Sequence, residues 1–306
     1  MTATSPLLAC GPAGWSGPGW DALVYPRPRP SGFHPLELLA SIFDVVEIPS
    51  PARGAIAPEV ARLWIRKVSG NPRFRFSALA SPRFTHDRLL EPSALESFSL
   101  GLRPILQAGR LGCVLLQFPW SFRFTVENRE FFIRLRRALH EFPLAAEMRH
   151  ESWISAEALG VFIDYHVGFV NIDQPQTIRA TPPTALLTSG IGYVRLEGRR
   201  WDPGRQSPRR DHLFPMGDLD EWKVRIDRFR AFAEATYVVF ANAVAGRSVV
   251  NALQMQGLLT GLRHRPPPAL ARNWRVDLAA ADRAIQPPLF PSAADAPADP
   301  RGVKAA

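Results

Sequence analysis

The 306-residue chain is nearly without lysine: Lys67, Lys223 and Lys304 stand against 34 arginines, and the formal net charge is +9. Arginine grips phosphate and carboxylate through two parallel hydrogen bonds. The skew therefore reads either as biased coding or as affinity for such groups. Cysteine is scarce too. Cys10 and Cys113 lie in apolar, strand-like stretches, which suits buried thiols in a reducing compartment rather than a disulfide framework. No apolar run approaches the roughly 20 residues that a membrane span needs. The LLAC box at 7–10 has neither a basic segment nor an adequate apolar segment before it, so no signal peptide and no membrane partner are expected, and the cytoplasm is the default location. Also missing are G-x-G-x-x-G at a strand–helix junction, H-x-x-x-H, C-x-x-C and G-x-S-x-G. Their absence removes the dinucleotide fingerprint, a local zinc motif and the hydrolase nucleophile elbow.

What the chain does have is alternation. Apolar strand-like segments at 7–10, 44–48, 74–79, 112–118, 144–149, 167–172, 192–196 and 237–240 are separated by helix-like segments at 35–43, 58–68, 93–108, 127–142, 155–165, 218–235 and 248–262. Only 181–188, between the sixth and seventh strands, is a poor helix. The run 112–118 (GCVLLQF) is almost wholly apolar, as a parallel strand buried on both faces should be. Eight such units over about 250 residues predict an α/β fold, a single (β/α)8 barrel of the TIM type. An open doubly wound sheet is the rival. The barrel is expected over residues 1–265. Residues 266–306 are rich in Pro and Ala without periodicity and read as a mostly disordered tail, with Trp274 and the PPLF near Leu289 as segments that could dock back.

A barrel puts its site at the carboxyl ends of the strands. Those ends carry Glu47, Gln117, Glu147, Arg149, Asp173, Arg195 with Tyr193 and Glu197 on the same face of strand 7, and Asn242, with His86 and His150 just beyond strands 3 and 5. Strand parity expects this polar set to point inward while Val46, Ile48, Met148, Ile172 and Leu196 pack on helices. Two readings stand: a satisfied ion-pair network filling the barrel top, or a polar cup facing a ligand. In the second, Glu147 is general acid/base, His150 a proton carrier, and Glu47 and Asp173 are further acids. Arg149 and Arg195 are anion or orienting groups, with Gln117, Asn242 and His86 as ligand contacts. Trp15, Trp20, Trp120, Trp153 and Trp201, in strand-to-helix loops, add aromatic faces that suit a sugar or nucleobase. Five arginines (199, 200, 205, 209 and 210) follow strand 7, and Gly246 and Ser248 open the last helix, a corner where barrels often hold phosphate. A cation among Glu47, Glu147, Asp173 and His150 would compete with two arginines, so no metal is assigned, and the cofactor is left open.

The motifs GWSGPGW (14–20) with VYP (24–26), VEIPS (46–50), Thr85–His86, QFP (117–119), EMRHESW (147–153), YVRLEGR (193–199) and NAL (251–253) together resemble the YecE-like family, the domain of unknown function 72. The resemblance spans about residues 8–260 and implies a TIM-type barrel without an established activity. The block at 147–153 is its most specific piece. The chain departs from the family pattern in four places: PSPAR (49–53) replaces N-S-T-F-Y, a strand-3 Lys is missing, Glu197 stands for a His, and FANA (240–243) replaces F-N-N-D. The expectation is an enzyme-like barrel binding an anionic, phosphate- or nucleotide-like small molecule, with hydrolytic or isomerising chemistry. Its alternatives are a non-catalytic nucleic-acid binder and a degenerate barrel acting as a protein-interaction scaffold.

Overall fold

A computed structural model describes residues 6–50, 55–202, 207–208, 210–262, 264–275 and 277–278. Eight parallel strands form the sheet: β1 (Leu7–Pro12), β2 (Val45–Ile48), β3 (Arg75–Leu79), β4 (Leu111–Gln117), β5 (Leu144–Glu147), β6 (Val167–Asp173), β7 (Ile191–Leu196) and β8 (Ala235–Phe240). Their spatial order is 1-8-7-6-5-4-3-2. The first and last members of that order are neighbours in sequence and meet at the top of the sheet. There the Gly14 N–H donates to the Glu47 carbonyl at 2.8 Å, and Ala13 bridges Glu47 in parallel register. The barrel is thereby nearly closed, with helices around it. It is a single (β/α)8 barrel.

Glycine makes the β1–β2 seam possible. A Cβ at Gly11 would stand 1.8 Å from the Val45 carbonyl oxygen, so any side chain there would force the two strands apart.

The helices are α1 (Trp20–Leu23), α2 (Pro35–Ala40), α3 (Pro58–Lys67), α4 (Pro82–Thr85), α5 (Pro92–Gln107), α6 (Val126–Ala138), α7 (Ala156–Asp164), α8 (Met216–Arg230), α9 (Arg247–Thr260) and α10 (Pro268–Asn273). Local chemistry fixes several starts. Thr125 and Ser155 accept from the N–H groups of Asn128 and Ala158, capping α6 and α7. Pro occupies the first turn of α2, α3, α4, α5 and α10, where its missing N–H costs nothing. Expected strict alternation breaks once. Between β6 and β7 the chain runs without a helix, and Asn171 holds it in place. The Asn171 amide donates to the Leu186 carbonyl at 3.0 Å, and its Oδ1 accepts from Thr184 and from the Leu186 N–H, both at 2.7 Å.

Two apolar layers follow from strand parity. Ala9, Val45, Cys113, Leu115, Ala145, Val170, Ile172, Tyr193, Tyr237 and Val239 fill the barrel. Val46, Ile48, Val114, Leu116, Met148, Val194 and Leu196 point outward and pack with the helices. Ile172 is on the other side from the one expected, and the consequence appears at the site. Past residue 265, α10 lies against the barrel with Leu270 fully buried. Trp274 donates from its indole to the Ala245 carbonyl at 3.1 Å. The PPLF near Leu289 falls outside the described residues. No helix among the described residues is long and apolar enough to cross a membrane.

Gly11→Val is expected to destabilise the barrel by about 3 kcal/mol or more, because backbone rather than a movable side chain blocks the space. Gly70→Ala, where an added Cβ meets nothing within 4 Å, is its control. Urea unfolding of the two variants checks this, and equal midpoints would refute the seam argument.

Candidate functional site

Three strand ends converge on one guanidinium. Arg195, on β7, donates from Nε to Glu47 Oε2 at 2.9 Å and from Nη2 to Glu47 Oε1 at 3.0 Å. Its Nη1 donates to Glu147 Oε2 at 3.1 Å and also to Glu197. Arg195, Glu47, Glu147 and Glu197 are all buried. A second arginine sits above this layer: Arg149 Nη2 lies 2.8 Å from Glu147 Oε1 and 2.7 Å from Glu197 Oε2. Gln117 closes the ring, its amide donating to Glu147 at 2.8 Å and to Glu197 at 3.3 Å. Below, Tyr193 donates to Glu47 at 3.0 Å and pairs with Ser77 at 3.0 Å.

Charge bookkeeping explains why this arrangement survives burial. Desolvation alone would raise the Glu197 carboxyl, but Arg149 and Arg195 beside it outweigh that and hold it at about 2. Desolvation would likewise lower Arg195, yet Glu47, Glu147 and Glu197 keep it well above its ordinary value. Both guanidinium groups and the Glu197 carboxylate are therefore ionised at neutral pH.

Over this floor opens a cavity of about 990 Å³ at the carboxyl ends of the strands. His86, Gln117, Trp120, Arg149, Glu197 and Arg210 line it, together with Pro119, Trp201 and the stretch 174–178. The Arg149 side chain, 14% exposed, reaches from the ion-pair layer into it. Burial, then the charge of Arg149, lowers the pKa of His86, so its imidazole is neutral near pH 7.

The block at 147–153 divides its labour. Glu147 and Arg149 enter the network. His150 turns away, with a hydrogen bond of 2.9 Å to the Ser152 hydroxyl, and accepts from the Ser152 N–H at 3.1 Å. It thereby caps the short 3-10 helix Glu151–Ile154 and lies edge-on to Trp120 at 5.2 Å. Burial and the nearby Arg123 lower its pKa. Trp153 is fully buried, stacked on Phe122 at 5.4 Å, and donates to the Phe122 carbonyl at 2.6 Å. Neither residue lines the cavity.

Other expected contacts also lie elsewhere. Because β6 turns Val170 and Ile172 inward, Asp173 faces the helix layer. There it pairs with Arg199 at 2.9 Å and accepts from the Trp222 indole at 2.7 Å. Asn242 is buried and donates to the His212 carbonyl at 2.7 Å and to Asn251 at 2.8 Å. Trp20 is buried and donates to the Ala243 carbonyl, and Trp15 packs edge-on to Trp64 at 4.9 Å. The expected phosphate corner is covered by chain: the Ala245 N–H donates to the Pro18 carbonyl at 2.8 Å, and Leu270 packs over Gly246. Of the five loop arginines, Arg205 and Arg209 lie outside the described residues. Among the described residues no three of His, Cys, Asp and Glu form a set that could hold a metal ion.

Sequence reasoning placed Glu197 on the inward face of β7 without assigning it a role, although its i, i+2 spacing from Arg195 was the available signal. Of the loop residues the sequence offers, Trp120, Trp201 and Arg210 do line the cavity, whereas the stretch 174–178 carries no sequence signal, since a loop has no parity to follow.

Arg195→Met leaves three carboxylates facing one another and should destabilise the fold by about 3–5 kcal/mol. Arg149→Met, at the exposed edge of the network, should cost clearly less. Urea unfolding ranks the two, and the reverse order would overturn this account. The network also predicts acid sensitivity. Glu197 lies below its ordinary 4.5 in the folded chain, so its stabilisation is complete above that pH and is lost as pH falls toward 2. Thermal melts of Glu197→Gln should show a flatter pH dependence across that window.

A sequence model of the family described as "Protein of unknown function DUF72" matches residues 9–272. The UPF0759 protein YunF of Bacillus subtilis is 24% identical over 277 residues, covering 83% of this chain and 95% of that protein. A DUF72 family protein of Thermotoga maritima superposes with a TM-score of 0.69 at 23% identity, covering 83% of this chain and 99% of that one. One from Enterococcus faecalis gives 0.73 at 20% identity, covering 85% and 97%. The match runs from β1 into α10 and takes in every strand of the barrel: the chain belongs to the DUF72 family, proteins of unknown function.

Proposed function

We propose that the barrel is an enzyme-like small-molecule binder whose ligand carries an anionic, phosphate- or nucleotide-like group. The observation that carries this reading is a cavity of about 990 Å³ with the Arg210 guanidinium at its wall and the Arg149 side chain reaching into it from the floor. That volume suits a small ligand, since such sites typically measure about 300–1,000 Å³. Hydrolytic or isomerising chemistry needs a group that exchanges protons near neutral pH. Glu147 and Glu197 are committed to arginines, which leaves the neutral imidazole of His86 best suited as base. The buried, unpaired Cys10 and Cys113 support a reducing, cytoplasmic setting.

A panel of phosphorylated metabolites, followed by melting temperature, tests the reading. A ligand at 100 times its Kd should stabilise the protein by about 2.7 kcal/mol, and Arg149→Met or Arg210→Ala should weaken that response. If no anionic compound raises the melting temperature, the reading fails.

A second reading, non-catalytic binding of nucleic acid, is favoured by the half-exposed Trp120 and Trp201 at the cavity and by Arg123, 5.1 Å over the Trp120 ring. It requires oligonucleotide affinity that falls steeply with salt, measurable by fluorescence anisotropy at two ionic strengths. An unchanged affinity would count against it.

A further inference from the structure

We infer that the cavity floor binds the hydroxyl groups of a sugar, so that the ligand is a sugar phosphate with its phosphate toward Arg210. This rests on the anionic small-molecule reading and narrows it.

The argument starts from the hydrogen-bonding capacity left over at the floor. Gln117 spends its amide N–H groups on Glu147 and Glu197, and its Oε1 has no donor among the described residues. Arg149 uses only Nη2, leaving the N–H groups of Nη1 and Nε without an acceptor. Glu197 Oε2 accepts only from Arg149 and keeps capacity for a second donor. Free donors and free acceptors therefore stand side by side on side chains that the ion-pair layer holds still. A hydroxyl both donates and accepts, so neighbouring hydroxyls on one ring satisfy such a set.

An anion at the floor would fare worse. It would face Glu197 and the Gln117 side-chain oxygen, both acceptors, and the one guanidinium within reach already serves two carboxylates. The ionised Glu197 carboxylate beside it repels an anion at close range. Arg210 differs. It is exposed at the wall, yet close enough for its charge to act on Glu197. An anionic group is therefore best placed there, above the hydroxyl-binding floor. Trp120 and Trp201 supply flat walls for the apolar face of a sugar ring.

Calorimetric titration of the full chain with propyl phosphate, free ribose, free glucose, ribose 5-phosphate and glucose 6-phosphate tests the inference. One of the sugar phosphates should bind at least about tenfold more tightly than propyl phosphate, as two or three added hydrogen bonds would give. Gln117→Met should erase that advantage while leaving propyl phosphate unchanged. Trp120→Ala, at a half-exposed position, should also reduce the advantage if Gln117→Met fails to fold. Arg210→Ala should weaken every phosphate probe alike. Propyl phosphate binding as tightly as both sugar phosphates would overturn the sugar inference and leave the anion reading standing. Free sugar binding as tightly as its phosphate would remove the anionic group and with it the sugar phosphate, leaving only the hydroxyl-binding floor. No binding of any probe at millimolar concentration would overturn both.

Discussion

Arg195 is the residue on which the barrel top depends. Its guanidinium engages three carboxylates from three strands, and each nitrogen is used. A buried charge is tolerable only when paired and hydrogen-bonded. Here the pairing also fixes positions, because β2, β5 and β7 must come together before the charges are satisfied. Gln117 and Arg149 then complete the layer from β4 and from the end of β5. The cavity floor is therefore a consequence of how the barrel satisfies its own charges, and the atoms it presents to the cavity are those with capacity left over.

The segment after β5 shows how one short motif serves two purposes. Glu147 and Arg149 go to the network. His150, Ser152 and Trp153 fasten the loops after β4 and β5: Ser152 accepts from the Phe124 N–H at 2.8 Å, and Trp153 wedges between Phe122, Phe132 and Phe162. Trp120 leans on His150 from above. The clasp holds one wall of the cavity, and the ion pairs hold its floor.

Glu197 changes the character of the site. The family pattern expects a His at this position, and a His would present an exchangeable proton. A carboxylate between two guanidinium groups is instead locked in one charge state. His86, by contrast, lines the cavity and lies outside the network. The same substitution supplies the third carboxylate, which Arg195 binds together with the other two. A departure that looked like loss in the sequence is, in the folded chain, part of a satisfied set.

The sequence by itself determined the barrel. Eight apolar strands spaced by amphipathic helices admit few packings, and the alternation at 193, 195 and 197 already put Tyr193, Arg195 and Glu197 on one inward face. It determined the partners in kind as well, since buried Glu47 and Glu147 required arginines. Tertiary structure alone decided direction at β6. Its alternation is as clear as that of β7, but a period of two is the same whichever face is inward. The helix-free stretch before β7 and the pairing of Asp173 with Arg199 and Trp222 turned Asn171 and Asp173 outward. Tertiary structure also decided which loop residues meet. Trp120, Trp201 and Arg210 come from segments with no periodicity, and their approach to one cavity depends on the closed curvature of the sheet. For the same reason Trp20 and Trp153, equally plausible from their loop positions, were drawn into the packing instead.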